Sequence, residues 1–470
     1  MIWSQQKQFS GLENEDGRPA TKEGMKLKIP TPDEALKRRD VGRAENAAKS
    51  PRAFAPEGCI SRRSVRSSFF LQSPLSLLLV AAIGLVLAAS FTACQLVTID
   101  YVYLAGAGSN GGNGSIQAFA VDSQSGALRE GGVKSVDSGG PGPVAIAVSA
   151  DYANLYVANQ GNNSVVHFAI ATDGTLSNKD SVTLPDAPAY LAVNAAGTDL
   201  FVVSGTTSAT LTVFPLSSGK IGAVAAQESL TVPGFAGDTI LPTGVVALAN
   251  NSAVYVTAYD KSAFNPGGTT SSNANPGWLF GFTVGSGGAL TATGGGPYKA
   301  GVKPSALAAD PTSRFVYVTD FASNHLIGYT VQSNGIVTFL INGPFRTGSE
   351  PSAIAIDPRG KYIYVANSLD STVSAYIIDL ATGTPSAAVS VSGASINSTD
   401  TQPVSIAVDP ALGRYVYTAN FLGNSVSGFK IDPNAGSLSP AQATPFPAGA
   451  KPTAITSIPH GNHATQSVTP

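Results

Sequence analysis

From Pro351 to Gly383 (PSAIAIDPRGKYIYVANSLDSTVSAYIIDLATG) apolar residues alternate with small or polar ones over seven positions, ending in the turn signal Asp357-Pro358-Arg359-Gly360. A β-branched and aromatic run follows, Tyr362-Ile363-Tyr364-Val365-Ala366, of the kind strands favour. Asn367 to Ser371 is a polar turn, Thr372 to Asp379 alternates again, and a looser run to Ser392 supplies a fourth strand. The connections between the first three strands are too short for crossovers, so neighbouring strands are predicted antiparallel. Such a sheet has two apolar faces and needs neighbours of its own kind.

The chain supplies them. The second-strand aromatic recurs at Tyr103, Tyr156, Phe201, Tyr255, Tyr317, Tyr364 and Tyr417. A proline opening the first strand recurs at Pro143, Pro188, Pro242, Pro304, Pro351, Pro403 and Pro452. This period predicts an all-β fold, a seven-bladed propeller of four-stranded antiparallel blades. The ends of the array are complementary. The Tyr103 repeat has a second strand (Ile99 to Ala105) and a third (Ser115 to Asp122) but no first strand before it, while the strand after Pro452 has no second strand after it. Closure by the C-terminal strand entering the N-terminal blade leaves no sheet edge open.

The strings Leu155-Tyr156-Val157-Ala158-Asn159, Val316-Tyr317-Val318-Thr319-Asp320, Ile363-Tyr364-Val365-Ala366-Asn367 and Val416-Tyr417-Thr418-Ala419-Asn420 resemble the Tyr-Val-Thr-Asn repeat. With Pro-x-x-Ile-Ala-x-Asp-Pro ahead of the repeat and Thr-Gly or Asn-Ala-Gly-Ser-Leu after it, the stretch from Ile99 to Pro459 is similar to the seven-bladed lactonase-like propeller family. The resemblance implies that fold. It also implies kinship with 6-phosphogluconolactonases and carboxymuconate cyclases, alongside exported members without assigned chemistry.

Upstream, residues 1–64 are polar and lack a sustained period, the composition of a disordered extension. Residues 65–94 have the layout of a secretory signal, with Arg66, an uncharged apolar run over Leu75–Ala89, then Ser90-Phe91-Thr92-Ala93-Cys94. The last five residues resemble a lipobox, which implies acylation of Cys94 and stable attachment through several chains. The alternatives are a permanent anchor over residues 69–93, near spanning length, and plain secretion. Translation from Val65 is a further expectation, since VRSSFFLQSPLSLLL is by itself a compact signal. Each route puts residues 95–459 outside the cytoplasm, at the cell envelope, and Gln95 points to the outer membrane in a double-membraned bacterium. Residues 460–470 read as a disordered tail.

Charge changes the picture only by exclusion. Residues 1–94 carry 14 Lys and Arg against 9 Asp and Glu; residues 95–470 carry 14 against 21. A mildly acidic propeller is not built to grip phosphate backbones, so nucleic acid is excluded as a partner. The only cysteines, Cys59 and Cys94, precede the repeats, so no disulfide supports the fold. No metal motif, Gly-x-Ser-x-Gly elbow or cofactor signature is present.

Candidate chemistry gathers where outer-to-inner connections meet the loops between second and third strands. The residues before the opening prolines are Gly142, Ala187, Leu241, Lys303, Glu350, Gln402 and Lys451, the last four a polar arc with Arg346 and Asp400 nearby. The same face receives Asn159, Tyr259, Asp260, Asp320, His325, Asn367 and Asn420, and a long insertion runs from Tyr259 to Pro276. A lactone hydrolase needs a base for water and a cation for the oxyanion. Glu350, His325 and Arg346 are the candidate catalytic groups, and Lys303, Gln402, Lys451, Tyr259 and Asp260 the candidate ligand contacts. The same charges serve a module that binds a small molecule or an envelope protein without turnover, the leading reading at this level, with lactone hydrolysis the alternative. Mutual ion pairing of Glu350 and its lysines is the purely structural alternative. Asn159, Asp320, Asn367 and Asn420 are expected to cap turns.

Overall fold

The computed structural model describes residues 97–468 except 109–110, 131–134, 235–236, 264–275, 390–395 and 450. Cys94, Gln95, the apolar run 75–89 and most of the Tyr259–Pro276 insertion therefore lie outside the described residues. Among the described residues no helix is long and apolar enough to cross a membrane.

Seven antiparallel sheets follow one another along the chain. In blade 5 the inner strand Pro304–Ala309 pairs with Phe315–Asp320, which pairs with His325–Val331. Blades 6 and 7 repeat this with Pro351–Ile356, Tyr362–Asn367 and Thr372–Ile378, and with Pro403–Val408, Tyr415–Asn420 and Ser425–Ile431. Six outer strands are broken into two short segments, such as Val337–Phe339 and Phe345–Arg346 in blade 5, whereas blade 2 has one unbroken outer strand, Leu176–Thr183.

Closure is as expected. The C-terminal strand Pro452–Pro459 is the inner strand of blade 1, antiparallel to Thr98–Gly106, with Thr456 opposite Tyr103 and Ala454 opposite Ala105. Two details depart from the sequence reading. Leu241 lies inside the inner strand of blade 4, Ile240–Ala247, rather than before it. The tail is not wholly disordered, since Gly461–Thr465 forms a turn of 3₁₀ helix with His463 buried.

The core is a ring of seven layers, each formed between two blades. Val102 and Leu104 pack with Tyr415 and Tyr417 of blade 7, while Tyr101 and Tyr103, pointing the other way, pack with Leu155 and Val157 of blade 2. The other five layers join consecutive blades in the same manner. A strand's side chains alternate between faces, and here both faces meet another sheet. The second strands are therefore buried throughout and read as continuous apolar runs.

The repeated tyrosine adds a polar tie to six of the seven layers. Its hydroxyl donates to a glycine carbonyl in the outer turn of the next blade: Tyr103 to Gly174, Tyr156 to Gly219, Tyr255 to Gly335, Tyr317 to Gly383 and Tyr364 to Gly436, at 2.6–3.0 Å. Tyr417 completes the circle, donating to Gly126 of blade 1 at 2.9 Å. Phe201 replaces the hydroxyl-bearing ring in blade 3. Glycine is required at Gly436, where φ is +67° and an added Cβ would sit 2.2 Å from the ring of Tyr362.

Candidate functional site at the channel mouth

The two families of loops do meet at one face. The carbonyl of the residue before the inner strand accepts the amide that follows the second strand: Phe321 N–H to Lys303, Ser368 N–H to Glu350 and Phe421 N–H to Gln402, at 2.8–2.9 Å. The amides of Glu350 and Lys451 donate to Asn324 Oδ1 and Asn424 Oδ1 of the preceding blade, both at 2.8 Å, and Gln402 N–H donates to Ser371 Oγ at 3.3 Å. Glu350, Gln402 and Lys451 are thus pinned from two blades.

That pinning holds an unfavourable backbone. Gly142, Glu350, Gln402 and Lys451 have φ of +60°, +54°, +58° and +51°. For a residue with a Cβ this left-handed conformation costs ~1–2 kcal/mol. Retaining charged or polar side chains there, where glycine relieves the strain, is the pattern of a position kept for its side chain.

Lys303 and Glu350 form the electrostatic centre. The Lys303 ammonium sits 4.6 Å from the ring centroid of Phe321 and 5.6 Å from that of Tyr259, whose ring is buried. Burial against these rings lowers the lysine's pKa, and the nearby Glu350 carboxylate acts in the opposite sense. The hydroxyl of Ser368 donates to the Glu350 carbonyl at 3.0 Å and reaches its Oε2 at 3.4 Å. On the blade 4 side, Asp260 is buried, with Oδ1 accepting the amides of Ser262 and Ala263. The neighbouring Asp260 carboxyl raises the pKa of Asp238.

The remaining candidates divide. Lys451 is exposed, its ammonium 5.9 Å from the ring of Phe421. Gln402 stands between Glu350 and Lys451 in blade order and is half-buried. His325 is the first residue of a strand rather than a loop residue, and it lies opposite Arg346 in the pairing of that strand with Phe345–Arg346. Arg346 is exposed, and its carbonyl accepts the hydroxyl of Tyr376 at 2.6 Å. The structure therefore couples Lys303 to Glu350 across blades 5 and 6, and His325 to Arg346 on the outer part of blade 5.

The Asx positions are occupied structurally. Asp320 accepts the amides of Val302, Lys303 and Ala322, a cap of the expected kind. Asn159 donates to the Ser138 carbonyl, but Asn367 and Asn420 bond side-chain hydroxyls instead, at Thr372 and Ser374 and at Ser425 and Ser427. Sequence reasoning missed Phe321, Phe421, Ser368 and Asp238. The first three share a sequence signal, the position just after each second-strand Asn or Asp; Asp238 lies in an irregular connection with none.

The description "Lactonase, 7-bladed beta-propeller" belongs to the family whose model matches residues 110–236 and 289–463. No curated protein matches the chain in sequence. Among solved structures, the chain is similar to a putative 6-phosphogluconolactonase from Bacteroides uniformis, with 17% identity and a TM-score of 0.61 over 77% of this chain and 100% of that one. It is equally similar to a periplasmic gluconolactonase from Pseudomonas aeruginosa, at 18% identity and a TM-score of 0.61 over 77% and 99%. A putative 6-phosphogluconolactonase from Bacteroides fragilis follows at 19% identity and a TM-score of 0.59, over 78% and 99%. At these identities the likeness is one of fold.

Proposed function

The chain belongs to the seven-bladed lactonase propeller family, and we propose that it hydrolyses a sugar-acid lactone at the mouth formed by blades 4, 5 and 6. The observation that carries this reading is the Lys303–Glu350 pair, with the ammonium held between the rings of Phe321 and Tyr259 and the carboxylate on a strained backbone.

Glu350 takes a proton from water as its oxygen attacks the lactone carbonyl carbon. Lys303 stabilises the resulting oxyanion, where a cation in a partly dry setting is worth more than in water. Collapse breaks the acyl C–O bond of the ring, and the released alkoxide takes a proton to give the open hydroxy acid. The rings of Tyr259 and Phe321 supply flat apolar walls for the sugar. Gln402 and Lys451, farther round the arc, contact its hydroxyl or anionic substituents. Substrate is met at the cell envelope, a placement supported by the apolar run Leu75–Ala89 ahead of Cys94 and in keeping with the periplasmic gluconolactonase of the same fold.

The test is a panel of sugar-acid lactones offered to the full chain, with spontaneous hydrolysis subtracted. Glu350→Gln should lower kcat by about 10²–10⁴-fold, the usual contribution of a general base. Wild-type rates in Glu350→Gln would remove the assignment. Saturable binding without turnover across the panel would leave a ligand-binding module in place of an enzyme.

A further inference from the structure

At the face opposite the mouth, three ionisable side chains converge where the ring is closed. Asp100 lies in Thr98–Gly106, paired across from Pro459 of the closing strand; Asp409 follows the inner strand of blade 7; His463 sits in the 3₁₀ turn beyond the closing strand. All three are buried, at 0%, 0% and 4% exposure. His463 Nε2 is 3.1 Å from Asp409 Oδ1 and 3.4 Å from Asp100 Oδ1, and one ligating atom from each residue lies within 4.8 Å of the others.

Asp409 is accounted for by its turn. It accepts the amides of Ala411, Leu412 and Arg414, much as Asp310 and Asp357 cap the equivalent turns of blades 5 and 6. Asp100 has no such explanation. Three residues before the second-strand aromatic, the other blades carry Ala153, Thr198, Ser252, Arg314, Lys361 and Arg414, none of them acidic. Both carboxylate oxygens of Asp100 are buried without a hydrogen bond, an arrangement that is costly unless something satisfies them.

The imidazole is already oriented as a ligand. Its Nδ1 donates to Gln466 Oε1 at 3.0 Å, which turns Nε2 toward the carboxylates, where a metal ion would replace the hydrogen that Nε2 shares with Asp409 Oδ1 at 3.1 Å. Metal-bound histidines are commonly held by such an outer hydrogen bond.

We propose that Asp100, Asp409 and His463 form a buried divalent-metal site, of the Zn²⁺ class, that fastens the C-terminal strand and its 3₁₀ turn to blade 1. One imidazole with two carboxylates is a ligand set suited to zinc, whose bonds to N and O run at about 2.0–2.2 Å. Tetrahedral ligands at such bond lengths stand about 3.4 Å apart, so the widest of the present separations, within 4.8 Å, has to shorten by up to about 1.4 Å. One divalent ion neutralises the two carboxylates and, with Asp100 binding through both oxygens, satisfies both of them. The role is structural, since the site lies at the opposite end of the strands from Lys303 and Glu350.

The experiment uses the full chain, stripped with a chelator and then given Zn²⁺ alone. One equivalent of zinc should be retained after desalting, and at free Zn²⁺ near 100 Kd the folded-to-unfolded ratio should rise about 100-fold. Both effects should be lost in Asp100→Asn and in His463→Gln, while lactone turnover stays at the wild-type level. Cobalt substitution in the wild type gives a readout that needs no variant: absorption bands of tetrahedral or five-coordinate Co²⁺ with a nitrogen ligand are expected. Failure of the stripped wild type to retain zinc, or an equal zinc-induced shift in Asp100→Asn, would overturn the assignment. Loss of turnover with intact zinc binding would instead count against the lactonase reading alone.

Discussion

Replacing Tyr417 with phenylalanine tests ring closure by removing a single oxygen atom. The Tyr417 ring is fully buried, and its hydroxyl donates at 2.9 Å to Gly126, 291 residues earlier in the chain. Phenylalanine keeps the packing and leaves a buried glycine carbonyl without its donor. The cost is the net value of the bond plus desolvation of the orphaned oxygen, about 1–3 kcal/mol. Tyr364→Phe is the internal control, since its bond to Gly436 at 3.0 Å joins blades that adjoin in sequence as well. If the ring unfolds as one unit, both substitutions should lower stability by similar amounts, read as a shift in urea midpoint at constant slope. A cost below about 0.5 kcal/mol at both positions would mean that the carbonyls find other donors, and would refute the idea that these hydroxyls tie the blades. A cost at Tyr364 with none at Tyr417 would mean that blades 1 and 7 are not closed in solution.

Gly436→Ala should destabilise by about 2–5 kcal/mol, combining left-handed strain with collision against Tyr362, measured by the same urea titration. Glu350→Gly should abolish lactone turnover yet stabilise the fold by up to about 1 kcal/mol, because glycine relieves the positive φ while costing some chain entropy; a destabilised variant would mean that the Glu350 side chain supports the fold. Burial lowers the pKa of Lys303, so its charge should be lost at a lower pH than an ordinary lysine's, and product-carboxylate affinity should fall through that pH in a titration from 7 to 10.5. Affinity that persists to the ordinary lysine range would place Lys303 outside the site. The sign for stability is opposite: the unfolded lysine binds more protons than the folded one, so this contribution rises with pH up to about 10.4.

Much of the architecture was legible because each blade encodes itself locally. The Pro-opened alternating strand, the Asp-Pro turn and the apolar second strand all lie within some 20 residues, and the missing strand at one end matched the surplus strand at the other. Tyr317, Tyr364 and Tyr417 were recognisable as core from their spacing, although their hydroxyl partners were not, because those carbonyls belong to the next blade. The mouth was legible as a list of positions. Lys303 and Glu350 stand 47 residues apart, and only the stacking of blades 5 and 6 brings their charges within reach of each other.

The sequence by itself determined the repeat, the number of blades and the strand that closes the ring, since backbone pairing and two-residue periodicity are written into short segments. Tertiary structure alone decided which polar residues share an environment. It coupled Lys303 with Glu350 and left His325 with Arg346, and it buried His463 of an apparently disordered tail against Asp100 and Asp409. Burial and charge proximity depend on neighbours tens or hundreds of residues away, and so do the pKa values they set; no local pattern records them.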